Sequence, residues 1–205
     1  MGAAETGGRG VRSTDDRPVA RGLRLVPAPR AAPEEPPPLR VRAEVRAASI
    51  VSGDVAGIAV GEEHRLGLAL DDHARAAEPA ASWRPDAFVE HPEGVDLRGT
   101  LVAAAVGPDR RPVVEVRGVP VLLLGRGPLP AVGSRVLASG FLTLERRLWA
   151  ACGGDGTRRW TVSRIRRQHL DVAAGALRSV DLLRLPTPTE VRVSQCYVLD
   201  LVRTG

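Results

Sequence analysis

The chain has no lysine and no asparagine, so all 29 of its basic residues are arginine. Arginine presents a planar fork to phosphate and stacks on aromatic faces. Aromatic residues are scarce as well: three Trp, two Phe and one Tyr among 205 residues. Few surfaces are therefore left on which nucleic-acid bases can stack. Two cysteines, Cys152 and Cys196, are too few for a disulfide framework or a zinc site, and a reduced, cytoplasmic setting is expected. No apolar stretch reaches membrane-spanning length, and the N-terminus lacks the apolar centre of a signal peptide.

What is present is an apolar content dominated by Val, Leu and Ala, with the Arg, Ala, Gly and Pro that a G+C-rich genome favours and a formal net charge of +5. That balance admits polyanionic partners. Residues 1–38 mix Gly, Arg, Pro and acids without apolar periodicity, so they have too little apolar surface to offset the entropy of ordering and are expected to form a disordered arm. From Leu39 the pattern changes: Leu39, Val41, Ala43, Val45 and Ala47 alternate with charged residues, the period of a strand with one wet face. Short strands are also expected at Ala56 to Val60 and His64 to Leu70, and a brief helical piece at Asp71 to Ala81. Residues 39–94 thus read as a β-rich extension packing on the central region, residues 95–170.

Residues 95–170 carry five runs of period-two apolar residues cut by Gly, Pro and Asp. The runs are Asp96 to Val106, Pro112 to Arg117, Val119 to Leu124, Arg135 to Glu145 and Arg158 to about Gln168. Five strands in this length predict a small barrel of the oligonucleotide/oligosaccharide-binding (OB) type. Gly99, inside the first run, permits the sharp coil that lets one strand serve both sides of such a barrel. Residues 171–205 read as a C-terminal β extension, a short helix at Asp171 to Leu185 passing into a strand and then a last strand at Glu190 to Arg203. That last strand is expected to pair with the one at Leu39, because both would otherwise be exposed edges. The fold class is therefore all-β: a five-stranded OB barrel with additional N- and C-terminal strands and a disordered N-terminal arm.

The segment from Val132 onward resembles the second half of bacterial single-stranded-DNA-binding proteins. The matching positions are Gly133, Ser134, Val136, Gly140, Leu142, Trp149, Gly156, Arg158, Val162 and Ile165, and Val95 to Leu101, with Gly99, is similar to that family's first strand. The resemblance covers about seventy-five residues and implies an OB barrel that holds single strands. Two departures stand beside it. The third-strand position that is usually aromatic in the family is Leu124 here, and the family's acidic C-terminal tail is missing from the ending Val202-Arg-Thr-Gly205.

Single strands are held by a basic groove with aromatic platforms. Candidate platforms are Trp149, which matches the family motif, Trp160 and Phe141. Candidate phosphate contacts are Arg110, Arg111, Arg126, Arg146, Arg147, Arg158 and Arg159, with Arg164, Arg166 and Arg167 beyond them. Arg146-Arg147 and Arg158-Arg159 flank one loop, so a hairpin there would gather four positive charges.

Catalytic signals are weak. Asp71-Asp72-His73 has metal-ligand types on adjacent residues, Gly125-Arg126-Gly127 lacks the Lys and helix of a phosphate loop, and Cys152, though near Arg residues that would lower its thiol pKa, has no sequence-adjacent His. The expectation is a non-enzymatic protein with no cofactor and no metal, whose partner is single-stranded nucleic acid, DNA ahead of RNA, through the Arg-rich hairpin. The alternative is an assembly module on a degenerate OB barrel, joining copies or a protein partner.

Overall fold

The computed structural model describes residues 37–153, 156–192 and 195–203. The expected arm, apart from Pro37 and Pro38, lies outside the described residues. In chain order the strands and α-helices are β1 (Arg40–Val45), α1 (Ala47–Val51), β2 (Glu63–Leu66), β3 (Leu68–Ala77), β4 (Ala87–His91), β5 (Gly94–Val106), β6 (Arg111–Val116), β7 (Val119–Leu123), β8 (Arg135–Leu144), α2 (Arg146–Ala151), β9 (Arg158–Asp171), β10 (Ala176–Leu182) and β11 (Cys196–Arg203).

The protein is nearly all β and contains a closed five-strand barrel. Antiparallel pairs join β8 to β5, β5 to β6 and β6 to β7. The ring closes through β3, parallel to β7 with Leu68 opposite Val121 and antiparallel to β8 with Leu70 opposite Leu142. Leu68, Leu70, Leu97, Leu101, Val114, Val121, Leu123 and Leu142 fill its interior. Gly99 sits where β6 crosses closest, since a Cβ there would collide with the Glu115 carbonyl and the Val114 and Val116 side chains.

The closing strand corrects the sequence reading. The run at Arg158, expected as the fifth strand, lies outside the ring, and Leu68–Ala77, a stretch upstream of the other four strands, takes its place. The two runs are alike in alternation. What separates them is that Leu68, Ala69 and Leu70 are all buried, as a strand covered on both faces must be, whereas β9 keeps Ser163 and Arg164 exposed. The helical piece expected at Asp71 to Ala81 is accordingly strand as far as Ala77, and that expected after Asp171 is a turn followed by β10.

Beyond the barrel, β9 is the centre of a second sheet with β10, β11 and β2 as antiparallel neighbours. The last strand pairs with the first as expected, Arg40 opposite Val202 through Val45 opposite Tyr197. β1 then touches β8 in parallel at Glu44 and Thr143, which fuses barrel and second sheet into one path. Trp160, Ile165, Tyr197, Leu199 and Leu201 from the second sheet share a single core with the barrel interior.

Candidate nucleic-acid interface

In OB barrels the face of the second and third strands receives the oligonucleotide. Here that outer face, formed by β6, β7 and the start of β3, is covered by the chain's own α2. Ala69, Val113, Leu122 and Trp149 form a separate apolar cluster, with Leu124, Leu148 and Cys152 packed against it. Trp149 is 5 % exposed and its indole N–H donates to the Leu68 carbonyl at 2.9 Å. Its ring lies flush on Gly67 and Gly156, where any Cβ would fall inside it. Trp149 therefore fixes the helix to the barrel and offers no face to a base. Trp160 is fully buried in the main core. Leu124 is half-buried and packs against the same cluster.

The expected hairpin is a helix, and its four arginines do not gather as free charge. Arg147 meets Asp54 at 2.5 Å and the Ser52 carbonyl at 2.7 Å, and Arg159 faces Glu63 at 3.6 Å. Arg158 donates to the carbonyls of Gly118 and Thr157, both at 3.1 Å. Arg146 shares a small pocket with Asp54 and Glu63. Elsewhere, Arg110 sits exposed in the β5–β6 turn, and Arg111 donates to the Leu124 carbonyl at 2.6 Å. Arg126 lies exposed beside the buried Asp72–Arg75 pair. Phe141 is 44 % exposed but lines a different cleft, with Glu44 and Glu90. The ten residues are thus spread over several surfaces.

The thiols are not activated. Burial, reinforced by Asp109, pushes Cys152 up from its ordinary value, contrary to the expected lowering by Arg; burial and then Glu44 push Cys196 up to about 11. Among the described residues no group of three His, Cys, Asp or Glu could hold a metal, and no helix is long and apolar enough to cross a membrane.

A wide groove lies beside the C-terminal part of β9. It has a volume of about 930 Å³ and is lined by Arg167, His169, Leu170, Val172, Glu190, Arg192 and Gln195. It continues into a neighbouring one of about 490 Å³ that adds Arg184, Leu183 and Tyr197. Register decides which arginines face it free. On β9, Arg164 is gripped by both oxygens of Asp181 at 2.8 and 3.0 Å, and Arg166 by Asp200 at 2.8 Å. Arg167 stands between Tyr197 on β11 and Val180 on β10, with no acid within ion-pair reach among the described residues. Its Nε is buried and has no hydrogen-bond partner. Arg184 is placed by the bridge from Ala59, beside the buried Leu185, and Arg192 by the Gln195 N–H donating to its carbonyl at 3.0 Å. Neither has an ion pair among the described residues, but Arg184 is close enough to Glu190 to help lower the pKa of that carboxyl. Of the groove's residues, the sequence pattern points to Arg167 and misses Arg184, Arg192, His169 and Gln195. The run Arg164-Ile-Arg-Arg-Gln-His169 is the available signal, and only pairing register shows which of its charges are spent.

Comparison with protein families, with characterised proteins and with solved structures finds no match.

Proposed function

We propose that the protein is a non-enzymatic binder of single-stranded nucleic acid, with the binding surface on the second sheet in place of the sealed barrel face. The observation that carries this reading is that Arg167 lines two adjoining grooves, with Arg192 in one and Arg184 in the other, and none of the three forms an ion pair among the described residues, although Arg184 lies near enough to Glu190 to help lower its pKa. Phosphate attracts and positions on such a surface. Leu170, Val172 and Leu183, all strongly exposed along the groove, supply apolar surface for the faces of unstacked bases, which a duplex keeps hidden. The test is a titration with a labelled oligonucleotide at several salt concentrations. Three phosphate contacts give a slope of log affinity on log salt of about −2, and replacing the three arginines with serine removes most of it. Binding that ignores salt, or that the triple variant retains, overturns the reading.

A second reading, assembly between copies, has its own observation. Among the described residues β10 pairs only with β9, leaving its outer edge open, and the hairpin carries Leu170 and its cross-strand partner Leu177 at 63 % and 64 % exposure. An open edge with an apolar face is a template for strand addition. Sedimentation at increasing protein concentration decides it: this reading predicts a dimer that Leu170→Ser with Leu177→Ser dissociates, and a monomer throughout refutes it.

A further inference from the structure

The polar side chains facing the groove share one chemical property. Tyr197, held in the core, donates its hydroxyl hydrogen to Gln195 Oε1 at 2.8 Å. That bond turns the amide oxygen towards the phenol and leaves the two Gln195 N–H donors without a described partner. Arg167, Arg184 and Arg192 have donors only. Of the two carboxylates that border the groove, Asp181 is fully engaged and Glu190 is engaged through one oxygen, with Arg184 also acting on its charge. Glu190 accepts the Thr187 N–H at 2.8 Å, the bond that lowers its pKa, and Asp181 holds Arg164 through both oxygens. Among the described side chains, then, donors predominate, three guanidiniums and the Gln195 NH2 against the second oxygen of Glu190, and His169 Nδ1 has no partner.

A base edge displays both donors and acceptors, and a ribose hydroxyl both donates and accepts. A phosphate oxyanion only accepts. We infer that this groove is a phosphate cradle in which Gln195, oriented by Tyr197, is a neutral phosphate-binding group beside the three arginines, and that it recognises phosphate irrespective of base or sugar. This rests on the proposed function for the identity of the polymer, but not for the group recognised. Gln195 and Tyr197 are separable in role: the amide touches the ligand, and the phenol is a positioning residue.

The experiment uses the full chain and three probes: labelled oligo(dT), oligo(U) of equal length, and inorganic tripolyphosphate by calorimetry. The two oligonucleotides are expected to bind within about threefold of each other, and tripolyphosphate to compete with both. Gln195→Leu is expected to weaken all three about tenfold, the scale of one hydrogen bond to a charged group, without changing the salt slope. Tyr197→Phe, which keeps the buried ring, is expected to weaken them less, with its thermal midpoint followed as a control on folding. Gln195→Leu binding like the parent, or a Leu variant whose salt slope alone changes, overturns the cradle. Tripolyphosphate bound through Gln195 while neither oligonucleotide binds leaves the cradle standing and removes the nucleic-acid reading. No binding of any probe removes both.

Discussion

At the scale of single residues, two buried contacts do most to hold the arrangement. Trp149 joins α2 to the barrel through one hydrogen bond and two glycine-floored contacts, so Gly67→Ala must push a methyl into the ring. Overpacking of this kind costs about 1–3 kcal/mol, and a urea melt of the variant should show a midpoint lowered accordingly. Asp72 is the other. It accepts from Gly125 N–H at 2.7 Å and from Arg75 at 2.6 and 2.9 Å, with both side chains 3 % exposed. Asp72→Ala leaves an uncompensated buried guanidinium, at a cost of about 3–5 kcal/mol, again read from a urea melt. Neither role is legible in the sequence. Motif position singles out Trp149, yet whether an indole stacks on a base or on glycine depends on what the chain folds over it. Asp72 reads in sequence only as a metal-ligand type, because its partners at Arg75 and Gly125 meet it through strand pairing.

At the scale of elements, most strands are readable from alternation and the connections are not. β5, β6, β7 and β8 fall where period two and the Gly and Pro punctuation place them, and β1 with β11 follow from the need to cover two edges. α2 escapes the pattern because Arg146 to Ala151 is about one and a half turns, too short for a helical period to emerge. The junction of β1 with β8 carries a pH signature. Burial pushes the carboxyls of Glu44 and Glu145 above the ordinary 4.5, against the lowering effect of Arg46, and Asp71 adds to the rise at both. A raised folded-state pKa means that the folded form holds these protons more tightly. The stabilisation is present below about 4.5 and is lost as pH rises through the shifted values. Glu44→Gln with Glu145→Gln should therefore melt higher than the parent at pH 7, with the difference shrinking towards pH 4; thermal melts at three pH values give the comparison.

At the scale of the whole molecule, the barrel is assembled from distant parts: its closing strand precedes the other four by way of β4, so residues 95–170 lack a wall. That fragment, made alone, is expected to show no cooperative unfolding by circular dichroism, whereas residues 37–203 should unfold in one transition. The long-range parallel pair of β3 with β7 is hidden from sequence, since parallel partners carry no turn between them to mark the register. The same fold of the chain spends α2 on the barrel face and leaves Arg167 on β9 beside Arg184 and Arg192 of the β10–β11 connection, where the proposed ligand is expected to sit. Chemical-shift mapping with an oligonucleotide tests this most directly. The expected outcome is perturbed amides at Arg167, Arg184, Gln195 and Tyr197 and unmoved ones at Val113, Leu122 and Trp149; shifts confined to the second set, with the first unmoved, would contradict it.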